Sequence, residues 1–272
     1  MVSVSTTAII IRYVPTVPAL TLAFWRMFLS AGFLWLYSYR YNSKITKKNK
    51  FRTLIAGIFL GLHFSLFFIG VRNTSVASAT LLANTGPLFT AMFSFFNKEK
   101  LNRQVFVGLC FATFGVLIVQ STGLISNETT GWGNFVSLLS GCSIAITYMF
   151  ASDIRKKTEN IVYGRSVFFF AAITIALIAF FSDVSLVAFT KKDVPWFVFL
   201  ALVPSILGHN LLNYAIKFFP PTAIASVPMG EPIIASILSY ILFFELVPSG
   251  AFWGGPFVFF GIYLIIINSK AN

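Results

Sequence analysis

Apolar residues dominate this chain in long unbroken runs, separated by short polar or basic stretches. Nine runs reach, or nearly reach, the about 20 residues that a helix needs to cross a bilayer core. They lie at about 17–38, 51–71, 76–96, 104–120, 133–151, 166–182, 195–216, 222–244 and 250–268. The runs are continuous and lack the alternation of a membrane β-barrel, so they predict helices. A tenth, shorter apolar piece, 1–11, precedes Arg12. Trp132, Trp196 and Trp253 fall near run starts and Trp35 near a run end, where indole rings anchor at headgroup level. The pattern predicts an all-α polytopic membrane protein of ten helices, the first one truncated.

The pattern also repeats. His63, Pro87, Glu99, Gly108 and Gly115 recur in order as His209, Pro232, Glu245, Gly254 and Gly261. The offset is 146 positions for four of these pairs and 145 for the prolines. Five ordered matches with one slip predict a duplicated unit, with copies at 1–122 and 131–268. Each copy has five helices, an odd number, so the second copy enters the membrane from the opposite side. Subtracting the offset from Gly131 places the start of the first helix about fifteen residues before Met1, so an in-frame apolar stretch is expected upstream.

Charge supports the same arrangement. With loops 39–52, 97–103, 152–165, 217–221 and the tail on one side, that side holds 15 Lys or Arg. The other side holds only Arg12, Arg72, Lys191 and Lys192, which places both termini in the cytoplasm. The bias inverts between copies. The loop with Lys98, Lys100 and Arg103 corresponds to one after Glu245 without a basic residue. The loop at Arg12 corresponds to one holding Arg155, Lys156, Lys157 and Arg165.

At 272 residues, the chain is 57% hydrophobic and only 10% charged, with a mean hydropathy of +0.83. A soluble domain so poor in charge lacks a surface. The +12 net charge sits in loops between spans, which argues against nucleic acid as a partner. Cys110 and Cys142 lie within apolar runs and read as buried free thiols, with no metal spacing and no disulfide framework.

Few polar groups lie deep in the runs. Arg26 and Glu231 each sit about nine residues into a run, roughly 14 Å deep at 1.5 Å per residue. A charge there costs about 2.5–3.5 kcal/mol on insertion scales. Glu231 lies in Pro228-Met229-Gly230-Glu231-Pro232. The two prolines are expected to free the carbonyls of Ile224 and Pro228, so this broken helix suits a polar pathway. A protonated glutamate satisfied within the bundle explains the same residues. Arg26 reads as structural, either bonded to carbonyls of neighbouring helices or reaching toward an interface. His63 and His209 are the only histidines, at equivalent positions, and are candidates to line a central cavity. Asn210 and Asn213 follow His209, and Thr80 and Asn84 share a helix face before Pro87. These side chains, with Tyr148, either bind a polar solute or bridge helices. Gly57 and Gly61 form a GxxxG that predicts close helix packing. Asn73-Thr74-Ser75 and Asn127-Glu128-Thr129 match glycosylation sequons.

The TSVASATLL segment ending at Pro87 with Glu99, the AIASVPMGEP segment with Glu245, and the Pro18 opening of the run bearing Arg26 resemble the EamA-type permeases of the drug/metabolite transporter superfamily. The resemblance covers nearly the whole chain. It implies ten helices in two inverted halves around a central cavity, with Glu231-Pro232 and Gly86-Pro87 at the family's Glu-Pro and Gly/Pro positions. It further implies a secondary carrier of a small metabolite, often exporting amino acids or related compounds across a plasma membrane, the inner membrane if bacterial. The expected sites are Glu231, His63, His209, Asn84, Asn213, Asn210, Thr80 and Tyr148 for solute. Arg26, Pro87, Pro228 and Pro232 are the structural set. The expected partners are a small-molecule solute and the bilayer, with the chain a monomer or homodimer and no cofactor. A membrane-embedded enzyme acting on lipid or isoprenoid is the alternative. The runs contain no HExxH, no Asp-rich diphosphate motif and no nucleophile-base set for it. A channel would need charge rings or a carbonyl filter motif.

Overall fold

A computed structural model describes residues 1–40, 45–74, 76–96, 102–124, 131–243 and 249–269. Every predicted run is helical. In chain order the helices are α1 (Val2–Tyr13), α2 (Ala19–Ser38), α3 (Lys47–Asn73), α4 (Val76–Ala83), α5 (Gly86–Phe96), α6 (Arg103–Leu124), α7 (Gly131–Arg155) and α8 (Asn160–Phe181). Then come α9 (Val194–Leu200), a π-helical segment (Ala201–His209), α10 (Asn210–Ala215), α11 (Pro221–Ser226), a 3-10 turn (Val227–Gly230), α12 (Glu231–Phe243) and α13 (Ser249–Asn268). Among the described residues there is no strand, and six helical stretches are long and apolar enough to cross a membrane. The protein is an all-α, multi-pass membrane protein. Glu99, Glu245 and the sequon at 127–129 lie outside the described residues.

Two expected single helices are each in pieces, and proline is the cause. Pro87 has no N–H to give Ala83, and the chain turns at Asn84 and Thr85, between α4 and α5. In the second half the break is the 3-10 turn containing Pro228. Its outcome corrects the sequence-based expectation that the carbonyls of Ile224 and Pro228 would be free. Val227 N–H donates to Ile224 O, and Glu231 N–H donates to Pro228 O. Tightening from i+4 to i+3 bonding takes the donor from the residue before each proline, so both carbonyls are satisfied.

The helix pairings exchange when the halves are swapped. α3 packs on α7 as the π-helical segment packs on α1, and α5 packs on α7 as α12 packs on α1. α2 on α8 and α6 on α13 pair equivalent elements with each other. The last contact is the closest. A Cβ at Gly108 would lie 2.8 Å from Gly261 O, and one at Gly115 would lie 2.7 Å from Gly254 O. Gly108 thus meets the counterpart of Gly115, and Gly115 meets the counterpart of Gly108. Reciprocal contacts of this kind are the mark of a twofold relation. They also show that α6 and α13 run antiparallel, as inverted copies require.

Gly57 and Gly61 seat α3 against Phe170, Ala171 and Thr174 of α8. The cysteines depart from expectation: Cys110 is exposed and Cys142 only partly covered. An apolar run reports a helix in the membrane, and the side chains on its outer face meet acyl chains rather than protein.

Candidate functional site

Arg26 lies mid-way along α2 with no exposed surface. Its Nε donates to Ser205 Oγ at 2.8 Å, its Nη1 donates to Thr7 Oγ1 at 3.4 Å, and its guanidinium sits 4.2 Å from the centre of the Phe64 ring. Local sequence explains the main partner. Pro204 has no N–H for the Leu200 carbonyl, and the backbone from Ala201 to His209 winds as a π-helix. Ser205 Oγ donates to that carbonyl at 2.9 Å and accepts from Arg26. The π winding gives the Leu200 carbonyl an i+5 N–H in place of the missing one, and the Ser205 hydroxyl adds a second bond to it while holding the arginine. Arg26 bonds to hydroxyls and a ring face rather than to the helix carbonyls expected from sequence, and Nη2 has no hydrogen-bond partner. Ser205→Ala strands Arg26 Nε, while the Leu200 carbonyl keeps the i+5 backbone N–H of the π-helical winding. The substitution is expected to cost about 1–3 kcal/mol, read as a lowered Tm in nanodiscs.

Glu231 opens α12 directly after the 3-10 turn and is 5% exposed. Asn84, at the matching break in the first half, lies beside it. Glu231 Oε1, Asn84 Nδ2 and Tyr148 OH are all buried without a hydrogen-bond partner. Arg26 and Glu231 line the same cavity and sense each other's charge. They are not in ion-pair contact: among the described residues the ion pairs are Arg52–Asp153 and Lys156–Asp153, both at the surface. The cavity measures about 40 Å³, room for a few water molecules and no metabolite.

Both histidines line this cavity with ring centres 6.3 Å apart. His63 Nδ1 lies 3.0 Å from the Ser140 carbonyl oxygen, while Ser140 Oγ donates to the His63 carbonyl at 3.1 Å. Ser140 Oγ also lies 2.9 Å from Nδ1, so one serine meets this ring nitrogen with both its carbonyl and its hydroxyl. His209 packs edge-on against Phe64 at 5.0 Å.

The fold thus gathers Glu231, His63, His209, Asn84 and Tyr148 with Arg26 and Pro228 around one space. Three sequence candidates stand elsewhere. Asn213 is one helical turn beyond His209, on the same face but at another depth, where its carbonyl accepts from Arg155 Nε at 2.8 Å. Thr80 is one turn before Asn84, buried but off the cavity. Asn210 points round the helix toward Gly164 of α8. Gly86, not Pro87, reaches the cavity, and Pro232 shapes α12 behind it. Thr7, Phe64 and Phe67 also line it and were not singled out from sequence. For Arg26 a signal existed: it and Glu231 are the two charges at mid-depth, and each was the other's available complement.

A solved crystal structure superposes with a TM-score of 0.80 at 14% identity, covering 97% of this chain and 93% of its own. A Helicobacter pylori protein described as an uncharacterized transporter is 26% identical over 66% of this chain and 60% of its own length. The chain therefore spans less than two thirds of that relative. The pseudopaline exporter CntI of Pseudomonas aeruginosa is 26% identical over 77% of this chain and 72% of its own. The model of the EamA-like transporter family matches residues 1–121 and 131–267, nearly the whole chain. The chain belongs to the EamA-like transporter family.

Proposed function

We propose that this chain is a secondary carrier that moves a small zwitterionic, amino-acid-like solute across the plasma membrane by alternating access. The observation that carries the reading is the set of unpartnered atoms around one cavity. Arg26 Nη2 offers a cationic donor and Glu231 Oε1 an anionic acceptor, with Asn84 Nδ2 and Tyr148 OH between them in chemistry. A buried donor or acceptor left unmade is costly, so a solute bearing both a carboxylate and an ammonium group satisfies both ends at once. The family membership and its exporter relative support transport.

The repeat units are 1–122 and 131–268, and both supply the site: Arg26, His63 and Asn84 from the first, Tyr148, His209 and Glu231 from the second. The cavity of about 40 Å³ is a closed state, so solute entry requires the halves to rock apart. Asn210, Asn213 and Thr80 stand outside the solute site in this reading.

The test is a thermal-shift screen on the purified chain. Neutral amino acids are compared with the amines that lack their carboxylate and the acids that lack their ammonium group. The zwitterions are expected to raise Tm and the single-charge analogues to fail. Equal shifts from amines and amino acids would remove Arg26 from solute recognition. A second reading rests on Glu231 standing unpaired: it carries a proton rather than a solute cation. In that case Glu231→Gln leaves binding unchanged and abolishes the pH dependence of transport.

A further inference from the structure

Arg26 and Glu231, groups of opposite charge, line one cavity of about 40 Å³ and yet make no ion pair. Opposite charges in a site poor in water attract strongly, and an arginine stem has several rotatable bonds. The guanidinium must therefore be held where it is. Its two hydrogen bonds go to neutral hydroxyls, Ser205 Oγ and Thr7 Oγ1. The third support is Phe64. The guanidinium carbon lies over that ring, 4.2 Å from its centre, while the next ring, Phe68, is 6.0 Å away. The negative face of a phenyl ring attracts a cation without consuming an N–H, and Nη2 is left without a hydrogen-bond partner.

Phe64 is itself fixed. It is buried, and three rings stand against it at steep angles: His63 at 4.8 Å and 61°, His209 at 5.0 Å and 82°, and Phe68 at 6.5 Å and 86°. His63 is tied in turn to Ser140 of α7. The two repeat-matched histidines thus bracket the ring that carries Arg26. The repeat adds a second observation. The offset of 146 that takes His63 to His209 takes Arg26 to Ala172 and Phe64 to Asn210. The second copy keeps the histidine but lacks the cation and the ring together.

We propose that Phe64 is a positioning residue that holds Arg26 off Glu231 and so leaves both groups free for a zwitterionic solute. This role rests on the cavity's reading as a solute site and adds the residue that keeps it open. Without the ring face the guanidinium loses one of three supports, and the strongest attraction left to it is the Glu231 carboxylate. The pair then closes on itself, and a solute has to break an ion pair in order to bind. A leucine in place of Phe64 fills most of the space but has no quadrupole to offer the cation.

Two replacements separate charge from packing in the full chain in nanodiscs. Phe64→Leu removes the ring, and a trifluorinated phenylalanine in place of Phe64 keeps its shape while stripping the negative face. Isothermal titration uses L-alanine and L-leucine as probes. Phe64→Leu is expected to weaken their binding by about tenfold, the range of one desolvated cation–π contact, and the fluorinated ring by an intermediate amount. A second readout uses no solute. Tm is measured for Arg26→Gln, Glu231→Gln and the double variant, with the native ring, with Phe64→Leu and with the fluorinated ring. Once the ring face is gone the two groups touch, so the double variant should depart from additivity by about 2–4 °C more than it does with the native ring. The fluorinated ring carries both readouts if Phe64→Leu fails to fold. Additivity that neither replacement changes overturns the proposal. So does a fluorinated chain that binds like the unmodified one, because the ring then acts through packing alone. If neither amino acid binds the unmodified chain but the coupling appears, the solute reading fails and the role of Phe64 in holding the charges apart stands.

Discussion

Glu231→Gln is expected to weaken binding of the preferred zwitterion by at least about thirtyfold, because truncating one partner of a buried charge pair costs 2 kcal/mol or more. The carboxylate is 5% exposed, and Asn84, the side chain beside it, is neutral and cannot replace its charge. Arg26→Gln should show a comparable loss, but for the opposite end of the solute. Isothermal titration in nanodiscs separates the two. The glutamate variant should still distinguish an acid from its methyl ester, and the arginine variant should still distinguish an amine from its acetylated form. A double variant no worse than either single one would show that both act on one bound molecule. If Glu231→Gln binds every test solute as the unmodified chain does, the carboxylate is not a counter-charge.

Gly115→Leu is expected to prevent assembly of the two halves, seen as loss of the monodisperse peak after extraction. At Gly115 a Cβ alone would stand 2.6 Å from Val258 N and 2.7 Å from Gly254 O. These are backbone atoms, which cannot swing away as a side-chain end can. Gly115→Ala should already cost about 1–3 kcal/mol, the usual penalty for overpacking. Gly32 is the control, since nothing lies within 4 Å of a Cβ placed there. Gly32→Ala should leave stability unchanged or raise it by up to about 1 kcal/mol through helix propensity, read as an unchanged or higher Tm. Equal tolerance at both positions would show that the α6–α13 contact does not hold the halves together.

The helices were legible because lipid imposes long apolar runs, and the residues at matching positions because the spacing between them recurs. His63 and His209 stand out in this way, and both line one cavity with ring centres 6.3 Å apart. Glu231 was found because charge at depth is costly. Asn213 lies off that cavity. Helical spacing places a residue on a face but says little about which depth holds the cavity. The carbonyls of Ile224 and Pro228 were also misjudged, since proline removes a donor whereas the 3-10 turn supplies another from the preceding residue.

Sequence alone determined that this is a multi-pass helical membrane protein, that its pattern occurs twice, and which few ionisable groups lie deep. Those properties follow from one-dimensional quantities: the length of apolar runs, the count of basic residues in each loop, and recurrent spacing. Tertiary structure decided which of the deep groups share a space. Arg26 and Glu231 are 205 positions apart and meet only because both halves contribute walls to one cavity. Ser205 holds Arg26 only because Pro204 lies in a π-wound segment that brings its hydroxyl to both the Leu200 carbonyl and the guanidinium. Hydrogen bonds and unpaired charges are short-range, so their partners are set by packing across the chain rather than by order along it.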